Sequence, residues 1–527
     1  MTTLTLGTYD CFHLGHLNML KRAHEINNNL KVGVSSDFLN IEKKNKLPIV
    51  SIYDRYSLLK NLKMVDDVFV EDKYDVESKH QYMNYYNCDT FVIGDDWSGM
   101  FDEVASLFEK IDNKKVSVIY LPRTPIISTT FLLDKINYSN TINYNELIKC
   151  KPTQALENEP KINNIRCVLF HRNRKYQALH LLPYFYLFNS NNVAWFIDDT
   201  NNSKNVISEF KTWFYETVDK SYHHLLKMDS ILLSYQELVK FKPNIGIITE
   251  MWKPHCDVIK ACKAKMIFID HGICVGTRPD EWFALESQNN ADMLLVAGQM
   301  QYDYHLICNN KPNCHNISEQ SIKIIGWPRA SLKSNLDWIW DMYNPDYNHR
   351  ILIVPTSYYT EMIEENIVNF IKLVSSLCQT NKVVIRPHPI EHSIAFDNSV
   401  LFRLFEDSIN NKYCYNLVII PPHFNVHTPS LFDKCDLLIF DKSSLGYEYL
   451  IHDKPGISIG KLKWNKPTVP SIIDGFPHFD NISDITPNIV EEVINDGQEY
   501  QTSRRNLRNY VFKYLKEEWM SNFKQCL

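Results

Sequence analysis

Two histidines three positions apart lie near the start of the 527-residue chain, in the segment GTYDCFHLGHLNML at residues 7–20. His13 and His16 flank Gly15 and follow an apolar stretch. Two imidazoles beside the start of a helix can donate hydrogen bonds to a phosphoryl group as it gains negative charge. The glycine allows the backbone to approach a phosphate closely. This pattern predicts a phosphate-handling site in the first part of the chain.

A second segment with phosphate-binding chemistry, RTPIISTT at residues 123–130, follows the last apolar stretch of the same region. Arg123 supplies a fixed positive charge, and its planar guanidinium can hold a phosphate through two hydrogen bonds. Ser128, Thr129 and Thr130 stand where a helix is expected to begin. Hydroxyl and free N–H groups at such a position can bind anions. Together the two segments predict a triphosphate site.

The region that must position these segments alternates short apolar runs with stretches of helical periodicity up to about residue 137. Such alternation predicts parallel strands with helices packed on them, an α/β fold of Rossmann-like type. Residues 138–164 are polar and lack a sustained period, so we interpret them as a linker. The first domain is therefore expected to span residues 1–137 as an independently packed core.

The α/β alternation resumes at residue 165 and continues in two successive parts, which we assign to residues 165–335 and 336–527. Two consecutive α/β lobes predict a cleft between them, with ligands at the carboxyl ends of the strands. Serines at a helix start, with cationic donors nearby, suit a diphosphate. The polar residues that follow predicted strands in this way are His271, Arg386, His388, Ser443 and Ser444.

Charge and composition narrow the classes of partner. The formal net charge of -6 does not fit a general nucleic-acid binder. No apolar run reaches the roughly 20 residues that cross a bilayer, so we expect any membrane contact to be peripheral, at the inner face of the membrane. Scattered cysteines without a CxxC pair fit a cytoplasmic protein and predict no metal site built from protein ligands alone.

Over residues 4–136 the chain resembles the glycerol-3-phosphate cytidylyltransferases of teichoic-acid synthesis, through the motifs GTYDCFHLGH, GDDW and RTPIISTT. The resemblance implies that CTP and glycerol 3-phosphate form CDP-glycerol and pyrophosphate, with Mg²⁺ on the phosphates. It assigns charge stabilisation to His13, His16 and Lys43. It also assigns CTP binding to Gly7, Thr8, Tyr9, Gly15, Arg123, Ser128, Thr129 and Thr130, and glycerol 3-phosphate binding to Arg55, Asp95 and Trp97. Because such enzymes often act as dimers, we expect a homodimer through the first domain.

The chain departs from the family pattern at two positions. Cys11 stands where an apolar residue is usual, and Asn45 occupies one of the lysine positions. The phosphocholine and phosphoethanolamine enzymes share the histidine and RTxxIST motifs, whereas GDDW at residues 94–97 favours the glycerol 3-phosphate subgroup. Class I aminoacyl-tRNA synthetases also carry HxGH, but this chain has no KMSKS-like sequence.

Residues 165–490 resemble the CDP-glycerol glycerophosphotransferases of teichoic-acid and capsule synthesis, which have a two-lobed glycosyltransferase-B-like (GT-B) fold. The shared motifs are HG, GxPR, RxHP and DxSS, with Lys442 where the family usually has tyrosine. The resemblance implies that His271 is the general base for an acceptor hydroxyl. It implies that the CDP-glycerol diphosphate is held by Arg386, His388, Ser443 and Ser444. The chain is therefore predicted to be a bifunctional transferase that makes CDP-glycerol and passes its glycerol phosphate to a glycan or polyol-phosphate acceptor, releasing CMP.

Two other interpretations of the second part stay open at this point. It could be a sugar transferase or a 2-epimerase-like enzyme of similar fold. It could also be a non-catalytic module that binds a polymer. Assays of CMP release from CDP-glycerol, compared with UDP-sugars, separate these interpretations because a non-catalytic module releases none.

Overall fold

The computed structural model describes the chain except for residues 126, 136–141, 172–174, 198–205, 250–252, 271–285, 310, 312–313, 356–366, 388–399, 423, 425, 442, 461–469, 471, 496–497 and 516. The chain divides into two compact units. Unit 1 consists of Met1–Asn145, Asp341–Asp346 and Ile390–Phe424. Unit 2 consists of Glu146–Trp340, Tyr347–Pro389 and Asn425–Leu527. Two short stretches of later sequence therefore group with the first domain, which the sequence did not predict.

The strands are β1 (Thr3–Gly7), β2 (Leu30–Ser35), β3 (Asp67–Glu71), β4 (Thr90–Gly94), β5 (Ser117–Leu121), β6 (Lys151–Pro152), β7 (Cys167–His171), β8 (Val193–Ile197), β9 (Ile231–Leu232), β10 (Ile245–Ile248), β11 (Lys265–Ile269), β12 (Met293–Val296), β13 (Ile322–Ile324), β14 (Leu332–Lys333), β15 (Arg350–Val354), β16 (Lys382–Ile385), β17 (Leu417–Ile419), β18 (Leu437–Phe440), β19 (Gly456–Ile459) and β20 (His478–Phe479).

The α-helices are α1 (Leu14–Asn27), α2 (Asp37–Lys44), α3 (Ile52–Lys60), α4 (Val76–Tyr85), α5 (Asp102–Asp112), α6 (Thr129–Lys135), α7 (Tyr144–Leu147), α8 (Gln154–Asn158), α9 (Lys175–Leu187), α10 (Val206–Thr217), α11 (Tyr235–Phe241), α12 (Lys253–Ala261), α13 (Gln299–Cys308), α14 (Asp337–Trp340), α15 (Ile367–Leu377), α16 (Val400–Asn410), α17 (Ser444–Tyr449), α18 (Pro487–Ile494), α19 (Gln498–Val511) and α20 (Glu518–Cys526). Short 3-10 helices include Asp95–Trp97 and Pro328–Ser331.

Unit 1 is built on a parallel sheet with strand order β3-β2-β1-β4-β5. Strands β1 to β4 are almost continuously buried, as their unbroken apolar runs predicted, whereas the edge strand β5 is only partly buried. Strands β2 and β3 lie on one side of the central strand β1, and β4 and β5 lie on the other. The loops after β1 and β4 therefore leave the same edge of the sheet side by side. The Rossmann-like fold predicted for the first domain is confirmed.

Unit 2 carries two further parallel sheets, which correspond to the two predicted lobes. The first has the order β13-β12-β11-β10-β7-β8-β9. In the second, β16, β15, β18, β19 and β20 lie side by side in that order. The prediction of a two-lobed α/β region after the first domain is confirmed.

The structure differs from the predicted boundaries in two places. Within the described part of 138–164, interpreted as a linker, α8 buries Leu156 completely and β6 pairs with β14. At the other end, α20 was assigned to the second lobe, but Trp519 and Phe523 pack in the apolar core of the first-lobe sheet beside Tyr184. The polar composition of residues 138–164 gave no sign that α8 and β6 pack within unit 2. The local sequence of α20 does not indicate which of the two lobes it packs against.

The arginines in the middle and last turn of α19 form ion pairs within unit 2. Arg504 is 2% exposed, and its guanidinium lies near Asp453, as do those of Arg505 and Arg508. Asp453 pairs with all three arginines, so their positive charges are partly neutralised within the protein. Among the described residues, no helix has the length and apolarity that a membrane crossing requires.

Candidate nucleotide-binding site in unit 1

The loop after β1 is shaped by close contacts of its own side chains. His13 caps α1, and its Nδ1 accepts hydrogen bonds from the backbone N–H groups of Gly15 at 3.1 Å and His16 at 3.4 Å. A Cβ at Gly15 would lie 2.8 Å from the His13 ring, so only glycine fits there. His16 Nδ1 in turn accepts from the His13 backbone N–H at 3.4 Å. The HxGH sequence therefore forms a self-capped helix start.

The two histidine rings stack, with their centroids 3.8 Å apart. Burial, together with the neighbouring His13 and Lys44, lowers the pKa of His16 to about 3, and burial also lowers the pKa of His13. Both rings are therefore neutral near pH 7. Because each Nδ1 accepts a backbone hydrogen bond, the ring proton of each neutral imidazole resides on Nε2. The pair thus offers N–H donors, without net charge, to a ligand phosphate.

Lysines from α2 extend over the same region. The Lys43 ammonium lies 5.1 Å from the ring centre of Trp97 and 5.2 Å from that of Tyr74. Partial burial lowers the pKa of Lys43. Lys44 donates a hydrogen bond to Thr8 Oγ1 at 3.1 Å. The two lysines bring cationic charge to the loop that carries the histidines, which favours an anionic ligand.

A cavity of about 330 Å³ lies at this edge of the sheet. Of the residues predicted for nucleotide chemistry, its lining contains His13, His16, Lys43, Gly7, Thr8, Tyr9, Gly15, Arg123, Ser128, Thr129 and Thr130, together with Trp97 from the acceptor set. The two motifs also touch directly, since Thr129 Oγ1 donates to the Asp10 carbonyl at 3.1 Å and lies 3.5 Å from His13 Nε2. Segments over 100 residues apart in sequence therefore form one site.

Two predicted residues are not part of this lining. Asp95 begins a 3-10 helix, and its neighbour Asp96 lines the cavity instead, paired with Arg123. Arg55 is 2% exposed and bonds to protein atoms. Its guanidinium pairs with Asp37 and donates to the Thr8 carbonyl at 2.5 Å. The structure therefore places Arg55 behind the loop, where it holds the backbone of a lining residue.

Three residues that the sequence did not single out also line the cavity, Lys44, Lys79 and Glu71, in addition to Asp96 of the GDDW motif. Lys79 and Glu71 form an ion pair at 2.7 Å with both side chains almost fully buried. Burial acts to raise the pKa of Glu71, but the charges of Lys79 and Lys43 outweigh it, so the pKa lies below its usual value. A lysine in a helical stretch normally indicates a solvent-exposed face. The one signal for Lys79 was that its helix, α4, directly follows strand β3.

In unit 2 the described candidate residues lie at strand ends. Arg386 follows β16, is 3% exposed, and has its pKa lowered to about 10 by burial. Ser443 caps α17 after β18, and Ser444 is the first residue of that helix. His271 and His388 lie outside the described residues. A cavity of about 570 Å³ in this unit is lined by other residues, Glu448 and His427 among them, and not by Arg386 or the serine pair.

Comparison with known proteins gives matches for the first domain. Residues 4–135 match the cytidylyltransferase-like family. Glycerol-3-phosphate cytidylyltransferase of Bacillus subtilis (strain 168) is 38% identical over 133 residues, 25% of this chain and 95% of that protein. The enzyme of the same name from Staphylococcus aureus is 38% identical over 130 residues, 24% of this chain and 88% of that protein.

Among solved structures, the wall teichoic acid polymerase TagF is similar over 68% of this chain and 88% of its own, at 14% identity and a TM-score of 0.44. The sequence relationship over the first domain is much stronger, since it spans nearly the full length of the bacterial enzymes and includes the residues that line the cavity. Through that domain, the chain belongs to the glycerol-3-phosphate cytidylyltransferase family of cytidylyltransferase-like proteins.

Proposed function

We propose that unit 1 forms CDP-glycerol from CTP and glycerol 3-phosphate. The observation that carries this proposal is the convergence, in one cavity of about 330 Å³, of the stacked His13–His16 pair, the lysines of α2 and the hydroxyls at the start of α6. A phosphate oxygen of glycerol 3-phosphate attacks the α-phosphorus of CTP, and the bond to the β-phosphate oxygen breaks to release pyrophosphate. Negative charge accumulates on the α-phosphoryl oxygens, which the Nε2–H groups and ammonium groups stabilise.

The donor set of the cavity fits a metal that arrives with the nucleotide. Both lining carboxylates, Glu71 and Asp96, are in ion pairs, with Lys79 and Arg123. Mg²⁺ would therefore be held mainly by triphosphate oxygens and water, and Asp96 is the lining carboxylate that would serve as a protein ligand. When bound, the ion supplies charge neutralisation to the phosphates. Arg123, Ser128 and Thr129 orient the triphosphate through hydrogen bonds of their own.

The aromatic rings around Lys43 favour a glycerol acceptor over a choline one. A quaternary ammonium group binds best against open aromatic faces. Here the Lys43 ammonium already lies near the rings of both Tyr74 and Trp97, and it would repel a second cation. An uncharged glycerol moiety meets no such repulsion, and its phosphate gains the lysine as a partner.

Product analysis tests this function directly. Full-length protein is incubated with Mg²⁺, CTP or ATP, and glycerol 3-phosphate, phosphocholine or phosphoethanolamine, and products are identified by mass spectrometry. We expect CDP-glycerol and pyrophosphate as the main products. Formation of CDP-choline at a comparable rate would contradict the assignment of the acceptor, and absence of any CDP-alcohol would contradict the whole proposal.

We propose that unit 2 uses this product, transferring glycerol phosphate from CDP-glycerol to a hydroxyl of a glycan or polyol-phosphate acceptor, with CMP as the leaving group. The supporting observation is that Arg386 and the serines of α17 follow β16 and β18, which flank the same strand, β15. Parallel strands end at one edge, so these donors suit one diphosphate. Release of CMP from CDP-glycerol, but not of UDP from UDP-sugars, separates this function from a sugar transferase and from a non-catalytic module.

Homodimerisation through the first domain, a cytoplasmic location and peripheral membrane contact stay predictions. Sedimentation of the purified full-length protein measures the first. Co-sedimentation with vesicles containing anionic lipid, compared with neutral vesicles, measures the last. Because Arg504, Arg505 and Arg508 cluster around Asp453, we expect little binding from these arginines themselves.

A further inference from the structure

The packing of α3 depends on residues far away in the sequence. Tyr53 is 3% exposed and Tyr56 is 2% exposed. The Tyr53 ring stacks on Phe405 of α16 at a centroid distance of 4.8 Å, and Tyr56 meets the same ring edge-on at 5.2 Å. In α2, Phe38 meets Phe424 at 4.8 Å. We call the described residues of 341–346 and 390–424 the returning segments, since the chain comes back to unit 1 there.

Hydrogen bonds join the same surfaces. Tyr53 donates to the Leu417 carbonyl at 2.8 Å, and Tyr56 donates to Glu406 at 2.9 Å. From the other side, Tyr415 donates to Asp54 at 2.7 Å. Buried aromatic stacking combined with hydrogen bonds is typical of a packed core rather than of a superficial surface contact. The first 145 residues are therefore completed by the returning segments.

One of these contacts leads to the nucleotide cavity. The Tyr343 hydroxyl donates to Asp37 Oδ2 at 2.5 Å. Asp37, 1% exposed, forms an ion pair with the equally buried Arg55. Arg55 in turn donates to the carbonyls of Thr8 at 2.5 Å and Ser35 at 2.8 Å, and both of these residues line the cavity. Direct contacts thus run from Tyr343 to the cavity wall.

The backbone at Tyr343 supports the importance of this contact. Its φ of +66° lies in the left-handed region, which is unfavourable for a residue with a Cβ and uncommon for an aromatic one. Such conformations persist where surrounding contacts determine them, and they concentrate at functional sites. Here the conformation accompanies a hydroxyl placed on Asp37 and a ring placed edge-on to Tyr53 at 5.4 Å.

We propose that Tyr343 is a positioning residue for the cytidylyl-transfer site, acting through Asp37 and Arg55 on the backbone of Thr8 and Ser35. This inference rests on the proposed function of unit 1. A buried carboxylate needs its hydrogen-bond donors, because water cannot replace a missing one. With the Tyr343 hydroxyl removed, the Ile52 N–H at 3.2 Å is the donor to Asp37 Oδ2 that remains among the described residues. The Asp37–Arg55 pair then loses its fixed orientation, and so do the carbonyls that Arg55 holds.

The chain offers a matched control for this inference. Tyr343→Phe and Tyr415→Phe each delete one hydroxyl that donates to a carboxylate of the first domain, from the same returning segments. Asp54 accepts from Tyr415 at the exposed side of α3, whereas Asp37 belongs to the buried chain of contacts. Both variants keep the ring that packs. A general loosening of the interface affects both, but an effect through Arg55 affects only Tyr343→Phe.

The test measures kcat and KM for CTP in CDP-glycerol formation by full-length proteins. We expect Tyr343→Phe to lower kcat/KM by about tenfold, as for loss of one hydrogen bond to a charged group, and Tyr415→Phe to change it less than twofold. Tyr343→Phe is expected to unfold at a lower temperature than Tyr415→Phe, because only Tyr343 donates to a buried carboxylate, so kcat/KM is expressed per folded molecule. In an Asp37→Asn background, adding Tyr343→Phe should change kcat/KM less than threefold, because the acceptor through which it acts has already been altered.

The outcomes separate this inference from the proposed function. If the unaltered protein makes no CDP-glycerol, the proposed function of unit 1 fails. If it does, and the two phenylalanine variants have equal kcat/KM, Tyr343 has no positioning role. A lower unfolding temperature for Tyr343→Phe with unchanged activity per folded molecule would likewise overturn the inference, since it would make the contact purely structural.

Discussion

The two candidate sites of this protein differ in how their residues are assembled. In unit 1, a capped helix start and a hydroxyl-rich segment face each other across one small sheet, and Thr129 contacts both Asp10 and the ring of His13. In unit 2, the candidate residues sit at the ends of separate strands, and Arg386 and Ser443 line no shared cavity among those described. In unit 1 two motifs contact each other directly, whereas in unit 2 the described candidates follow separate strands of one lobe and the predicted base, His271, belongs to the other lobe.

Removing a donor from the self-contained site should have the largest effect. His16→Ala deletes a neutral N–H donor to the reacting phosphoryl group, so we expect CDP-glycerol formation to fall by roughly 10²–10³-fold. Consumption of added CDP-glycerol by unit 2 should be unchanged. Separate assays of the two reactions measure both effects. Synthesis within tenfold of the unaltered protein would show that the HxGH pair is not the centre of the site.

Lysines at and just after the end of α2 test whether the unit 1 site depends on exact position, because one lines the cavity and its near neighbour does not. Lys44 lines the cavity and bonds Thr8, whereas Lys46 lies just beyond the helix and does not line it. We expect Lys44→Met to lower kcat/KM for CTP by roughly 30-fold, through lost charge and lost support of Thr8. Lys46→Met is the matched control and should stay within threefold. Equal losses would mean that general positive charge, rather than position, matters here.

Ser444→Ala tests the dispersed site. If the serine helps to hold the diphosphate of CDP-glycerol, removal of its hydroxyl should weaken use of that donor by about tenfold, as for one hydrogen bond to a charged group. CTP chemistry in unit 1 should be unaffected. Initial rates of CMP release over a range of CDP-glycerol concentrations give the change. A variant that matches the unaltered protein in this assay would remove Ser444 from the donor site.

The same contrast explains what the sequence could predict. Apolar runs predicted the α/β class of the fold, and HxGH and RTxxISTT identified the phosphate-binding donors of the cavity, because their side chains act close to their own backbone. Lys44 was missed since two adjacent lysines cannot be separated without the phase of α2. Lys79 was missed since burial of its partner Glu71 depends on the packing of α4.

The contribution of Tyr343 and α16 to unit 1 was beyond any local pattern. Nothing in their own sequence indicates a contact with residues some 300 positions earlier, such as the hydrogen bond from Tyr343 to Asp37. The expectation of an independent domain at residues 1–137 rested on local α/β periodicity, which cannot reveal that Tyr53 and Tyr56 need an outside cover. The aromatic character of α3 was the available signal, since two tyrosines three positions apart lie on the same side of a helix and can form one packing surface.

The smallest predicted effect concerns protonation of the self-contained site. The pKa of His16 in the folded protein is about 3, below its value of roughly 6.5 in an unfolded chain. As pH falls below 6.5, the unfolded state binds a proton that the folded state does not, so stability is lost with decreasing pH. Between pH 6.5 and 5.5 this single group should lower the free energy of unfolding by about 1 kcal/mol.

His16→Gln lacks the titrating ring and should lose that much less stability over the same interval. Hydrogen–deuterium exchange of α1 amides at the two pH values measures the difference, with each variant compared with the unaltered protein at the same pH so that intrinsic exchange rates cancel. We expect the ratio of protection, unaltered protein to variant, to fall about fivefold from pH 6.5 to 5.5. A constant ratio would show that the surroundings of His16 do not lower its pKa in the folded protein.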